Sequence, residues 1–456
     1  MGVNAVHERN DQVAGKPEKL PRGFSLAWST RGISISVNFI ILGYLTFYLT
    51  DVVGMGAGLV GGLLLASKIF DGVTDLLVGF IIDKTKTKYG KARPYELLIV
   101  PLWIATVLLF SVPDMEVVWQ ATYVFVLFSL INSVFATFLS NTDSVYLGRA
   151  VSNEINRSKV LAIAGLVIMV VAISINIIFP QIMKMWGETN FGWTKITLLF
   201  AVPLGLIGLI RFFVVKEKLE DPSKIQKYGL KESLLVLKQN KYIFLFSLAA
   251  FFVHIVNGLS VNITAYYFEY IVGDLGKMSI FFMTSIVTPF LLLLFPSFIK
   301  KLGSINVARV AIIIGLVGSV VKLFAGSNMV LLIIGSLVSG IGTIPITMMV
   351  AIYVIDCMDY GEWKTGKRVE GVTNSIYNFS TKIANGVAVG GLGLILSVVG
   401  YSGKLDVQPD LANGAIIALF SWIPAILFAI AFLILHFYDL DSKMGKIKAD
   451  LKARHS

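Results

Sequence analysis

Apolar residues come in long, nearly unbroken runs, separated by short polar stretches. A helix that crosses a bilayer needs about 20 mostly apolar residues. By that measure the chain predicts twelve membrane helices, at 32–50, 58–82, 97–112, 117–140, 160–182, 194–215, 242–271, 279–299, 307–324, 330–355, 372–399 and 414–437. The runs are too long, and too continuously apolar, for the alternating ten-residue strands of a membrane barrel. An all-α membrane protein is the fold class that follows. The longest polar interruption, 216–241, divides the helices six and six. The basic connection after helix 2 carries Gly90, and that after helix 8 carries Gly303. Matching positions in two halves point to an internal repeat, and so to two six-helix halves around a central cavity. The expected units are an N-terminal segment 1–31, a first bundle 32–215, a central loop 216–241, a second bundle 242–438 and a tail 439–456.

Charge placement orients these helices. Lys84, Lys88, Lys91 and Arg93 lie in one set of connections, followed at the same parity by Arg149 and Arg157, then Lys216 to Lys238, Lys300 and Lys301, and Lys364 to Arg368. The opposite parity holds little beyond Lys184, Lys277 and Lys404. Basic loops stay on the cytoplasmic side, so both termini are expected there, in a plasma (inner) membrane. This placement also accounts for a net charge of +11 without a nucleic-acid partner. Charged residues make up only 15% of the chain and mean hydropathy is +0.78, which leaves no room for a sizeable soluble domain. The first 22 residues are polar and lack the apolar core of a signal peptide, so the first apolar run is expected to act as the insertion signal. The single cysteine, Cys357, reads as a packing residue.

Charges within apolar runs are expensive, about 2.5–3.5 kcal/mol each on the mildest scale, so each needs a reason. Helix 2 carries Lys68, Asp71, Thr74 and Asp75 near its middle. Residues three and four apart share a helix face, so two carboxylates and a hydroxyl meet there. They are hard oxygen ligands for Na⁺, or a pair able to hold a proton, since neighbouring carboxylates in low dielectric resist full ionisation. Lys382 lies on helix 11 within a polar stripe of Asn374, Asn378, Thr381 and Asn385. With no cation bound, it is expected to reach across to the helix 2 carboxylates. Candidate solute contacts are Ser34, Asn38, Asn132, Asn257, Asn374, Tyr377 and Asn378. Lys322 and Glu269, near helix ends, are expected to snorkel to the interface. Mixed charges in the cytoplasmic connections, Asp83, Lys91, Arg93, Glu362 and Arg368, are candidate gate residues. No catalytic set, metal spacing beyond a possible Na⁺ site, or cofactor signature is present, so an enzyme is not expected.

The stretches KIFDGVTD (68–75), GFIIDKTKTKYGKARPY (79–95), DCMDYGEWKTGKRVEG (356–371) and NSIYNFSTK (374–382), with FYLTDVVGM (47–55), resemble the glycoside–pentoside–hexuronide:cation symporters, relatives of the melibiose permease. The resemblance implies the major facilitator fold and alternating-access symport of a sugar or glycoside with Na⁺ or H⁺, by a monomer in the bilayer. It implies a cation site at Asp71 and Asp75 with Thr74 beside them, and coupling through Lys382 and Lys68. Two positions depart. The acids that the family uses for sugar on helices 1 and 4 fall near Ser34 and near Asn132 or Ser133. A carrier of a lipid-like or other non-sugar solute is therefore the alternative.

Overall fold

The computed structural model describes residues 20–85, 87–151, 154–217, 236–367, 370–405 and 407–455. Within its helices, a few side chains, those of Asp75, Asp83 and Asn374 among them, lie outside what it describes, as does all of Arg368. The helices are α1 (Phe24–Val52), α2 (Ala57–Lys84), α3 (Ile99–Leu109), α4 (Val117–Ala150), α5 (Glu154–Trp186), α6 (Asn190–Val214), α7 (Lys241–Val272), α8 (Leu275–Leu302), α9 (Ser304–Leu323), α10 (Met329–Thr365), α11 (Glu370–Val398), α12 (Asp410–His436) and α13 (Asp441–His455). Among the described residues, ten contain a stretch long and apolar enough to cross a membrane. Of the other two predicted spans, α2 is a 28-residue helix with several side chains outside the described residues, and α3 is short. A short 3₁₀ stretch, Arg93–Leu98, leads into α3.

Most helices overrun the apolar runs that predict them. Hydropathy measures only the part in hydrocarbon, whereas backbone hydrogen bonding continues into the interface. Within the expected tail, Asp441–His455 forms the helix α13. Met444, Ile447 and Leu451 recur at helical spacing and are buried. Trp363 of α10 donates to Asp450, and Lys448 pairs with Asp356.

Helices α2 and α11 hold the first six helices to the last six. Gly61 faces Gly390 and Gly393, and a Cβ at Gly393 would stand 2.4 Å from the Ala57 carbonyl oxygen. Small residues let two membrane helices approach at backbone distance. This contact sits toward the end of the bundle opposite the chain termini. There Asp51 accepts hydrogen bonds from Tyr270 and Tyr401, Tyr266 bonds Thr50, and Lys184 pairs with Asp274 at 2.7 Å. Hydrogen bonds from three helix ends and their connections therefore close that end.

Three stretches widen to π-helix: Tyr48–Val52, Leu130–Ala136 and Phe268–Val272. Such bulges concentrate at functional sites. The first and last carry Asp51 and Tyr270 of the closed end, and the middle one carries Asn132.

Candidate functional site

Between the two halves lies a cavity of about 520 Å³, within the range of small-molecule sites. Asp71 and Lys68 reach it from α2, Asn132 and Thr137 from α4, Asn257 from α7 and Lys382 from α11. Asp71 is 4% exposed. Its Oδ1 pairs with Lys382 Nζ at 3.2 Å and accepts a hydrogen bond from Thr137 Oγ1 at 3.0 Å. Lys68 Nζ donates to Asn132 Oδ1 at 2.8 Å and sits 5.4 Å over the Phe128 ring. The ammonium expected beside Asp71 on the same helix thus binds α4, and the one that neutralises Asp71 comes from the opposite half.

Helix geometry explains this division. Thr137 Oγ1 also reaches the Asn132 carbonyl oxygen, at 2.9 Å. The five-residue step is available because Leu130–Ala136 is π-helical, and it turns Asn132 and Thr137 into the same cavity. A straight α-helix would separate them by about 140° at 3.6 residues per turn. Thr137 was therefore invisible to a reading based on α-helical spacing. Thr74 Oγ1 donates to its own helix at the Asp71 carbonyl oxygen, 3.0 Å away, which leaves its lone pairs for a ligand. Asp75 follows Asp71 by one turn of α2, its side chain outside the described residues.

Among the candidate solute contacts, Asn132, Asn257 and Asn378 line the cavity. Ser34, Asn38 and Tyr377 are elsewhere, which corrects the expectation. Ser34 accepts from Trp103 Nε1 at 2.8 Å, and Asn38 donates to Thr106 at 2.8 Å. The cavity face of α1 is Phe39, Leu42, Gly43 and Thr46. Positions 34 and 38 lie about 90° or more from that face and look toward α3. Tyr377 is buried against Phe246 and bonds His254 at 2.9 Å within the second half. Asn374 is helical, with its side chain outside the described residues. Thr46, which the sequence did not single out, enters the cavity with Asn262, joined at 3.2 Å.

Two of the gate candidates, Lys91 and Arg93, meet a buried acid through their backbone. Glu217, its side chain fully buried, accepts from the amides of Lys91, Ala92 and Arg93 and pairs with Arg149 at 3.3 Å. Arg93 Nε donates to the Phe212 carbonyl oxygen, with the guanidinium over that ring. This clasp stays within the first half. Glu362 is buried on α10; Arg368 and the side chain of Asp83 lie outside the described residues. A second cluster, not anticipated as such, joins Arg31, Glu96, Asp143 and Arg211. Arg211 bonds Glu96 at 2.9 Å and Asp143 at 2.6 Å, and Arg31 pairs with Asp143. Lys322, expected at the interface, is 3% exposed and lies over the Phe420 ring.

A family model described as MFS/sugar transport protein, MFS being the major facilitator superfamily, matches residues 35–442. The chain belongs to this family of transporters. Among its relatives is an isoprimeverose transporter of Lactiplantibacillus pentosus, 29% identical, with 100% of this chain and 98% of the relative covered. A putative sulfoquinovose importer of Escherichia coli (strain K12) is 28% identical, covering 88% and 86%. A glucuronide carrier protein homolog of the same strain is 26% identical, covering 90% and 91%. Among solved structures, a D-xylose-proton symporter superposes with a TM-score of 0.68 at 13% identity over 92% of this chain and 98% of its own. At that identity the likeness shows the fold alone: the two six-helix halves of the major facilitator architecture.

Proposed function

We propose that this transporter carries a sugar or glycoside together with Na⁺ or H⁺ by alternating access. The observation that carries the reading is the Lys382–Asp71 ion pair, which spans the two halves on the cavity wall. Lys68, Asp71, Asp75 and Lys382 sum to zero charge. An empty carrier with Lys382 on Asp71 is neutral and can reorient. A cation bound at Asp71, Asp75 and Thr74 displaces the ammonium and leaves one uncompensated positive charge, which is costly at this depth. A solute hydroxyl or acid that accepts from Lys382 lowers that cost. Cation and solute then favour each other's binding, as linkage requires. The named substrates of the relatives support a sugar or glycoside as the solute.

The basic loops support a cytoplasmic side for the termini and the face they share. The closed end around Asp51 is then the outer gate, and the described state faces inward. The same reading makes the protein a monomer of the plasma membrane with no cofactor beyond the coupling ion.

Uptake into proteoliposomes tests this. Labelled glycosides are offered with an inward Na⁺ gradient, an inward H⁺ gradient or neither, to wild type and Asp71→Asn. One sugar should accumulate with one gradient, and the variant should lose about 100-fold of the gradient-driven accumulation, the upper range of a coupling between two sites. Gradient-independent uptake, or full accumulation by Asp71→Asn, would overturn the mechanism. No uptake of any sugar would move the substrate outside the sugars.

A further inference from the structure

Behind the central cavity, inside the second half, lies a separate chamber of about 290 Å³. It is bounded by α7, α8, α9, α10 and Phe420 of α12, and Asn257 and Val261 line both it and the central cavity. Lys322 of α9 lines it while 97% buried (3% exposed). The stem of this lysine runs along α10 because residue 335 is glycine; a Cβ there would meet Lys322 Cγ at 2.8 Å. Among the described residues that line the chamber there is no Asp or Glu, and the contact recorded for the ammonium is the Phe420 ring, 4.5 Å away. A ring face compensates only part of what a buried cation loses in leaving water. The chamber is also lined by Ser285 and Thr288 on α8 and by Ser336 on α10, whose buried hydroxyl has no hydrogen-bond partner. The 3₁₀ turn Thr284–Val287 interrupts α8 at this wall.

We infer that this chamber is a second solute subsite and that Lys322 anchors an acidic group, a carboxylate or sulfonate, of the transported glycoside. The inference rests on the symporter reading and extends it. A buried cation in a chamber lined by hydroxyls and, among the described residues, by no carboxylate is a ready-made receptor for an oxyanion. Charge-assisted hydrogen bonds to such a group are about twice as strong as neutral ones. The neutral part of the solute would remain in the central cavity, with Asn257, which lines both spaces, between them.

The test uses the full chain in lipid nanodiscs and equilibrium binding of three matched probes: methyl β-D-glucoside, methyl β-D-glucuronide and the corresponding 6-sulfonate. Wild type should prefer at least one acidic probe to the neutral one by about tenfold or more, and the better acid identifies the group. Lys322→Gln should erase the preference while leaving the neutral probe's affinity unchanged, and Lys322→Arg should keep it. Removing an unpaired buried charge does not endanger folding, and Lys322→Gln should melt at or above the wild-type temperature. A preference that survives in Lys322→Gln, or none in wild type, overturns the subsite. If no glycoside binds, the sugar reading fails by itself. Melting with D-gluconate and methanesulfonate then decides the subsite: stabilisation of wild type but not of Lys322→Gln upholds it, and stabilisation of neither overturns it.

Discussion

Two buried ionic clusters use the same kinds of side chain for opposite ends. Arg31, Glu96, Asp143 and Arg211 lie wholly in the first half, and the Glu96 and Arg211 side chains are at most 1% exposed. Both acids are paired with arginines, and the Arg211 guanidinium also lies 3.7 Å over Trp28. Lys68, Asp71 and Lys382 instead join α2 to α4 in one half and to α11 in the other, on the wall of a cavity, with the Lys382 side chain 26% exposed. In the first cluster the Asp143 side chain is 41% exposed, but all four partners belong to one half, so motion between the halves does not open it. The second is held by one lysine that water reaches and another ligand can replace. Burial alone does not mark a transport site; a pair that bridges moving halves beside an opening does.

Breaking one partner in each cluster should therefore give different failures. The largest effect is expected from Arg211→Met. It leaves Glu96 without its closest partner, a loss of about 3–5 kcal/mol for a buried pair. Melting temperature and folded yield should fall sharply, while uptake per folded molecule persists. A variant that melts like wild type but does not transport would erase the distinction drawn between the clusters.

Thr137→Val is expected to do the reverse. It removes a hydrogen bond to a charged group, about 1.5–3 kcal/mol, from the proposed cation site. Half-activation by the coupling ion should shift about tenfold or more, with the melting temperature nearly unchanged. Equal cation dependence in both proteins would remove Thr137 from the site.

The smallest effect should come from an ion pair outside the membrane. Asp439 accepts from Lys443 at 2.7 Å and from Tyr242 at 2.6 Å. These bonds depress its pKa from the usual carboxylate range to about 2. A depressed acid stabilises above its unfolded pKa, and that contribution is lost as pH falls through about 2. Both Asp439 and Lys443 are about half exposed, so Asp439→Asn should cost less than about 1 kcal/mol at neutral pH. The difference from wild type should shrink below pH about 4. A larger or pH-independent cost would mean that the exposed pair carries more than screening allows.

The helices themselves were legible because a bilayer permits few solutions: backbone groups must be satisfied internally, so long apolar runs become helices. Asp71 and Lys382 were legible because charge at that depth has few uses. The faces of α1 and α4 were not. Ser34 and Asn38 are polar for the sake of α3, and polarity does not tell which neighbour a side chain serves. Thr137 was hidden by the π-helical step. Lys322 sits one residue from the end of α9, where a lysine usually snorkels, and only the packing of α10 at Gly335 turns it inward.

Sequence by itself determined the class of protein, the places of its apolar helices, and the acids and lysines that the membrane tolerates only for a purpose, since hydropathy and charge cost are properties of each residue alone. Tertiary structure decided which lysine meets which acid, which polar faces reach the cavity and which end of the bundle closes. Those outcomes depend on helix rotation and on distances across two halves, which no local pattern in the chain encodes.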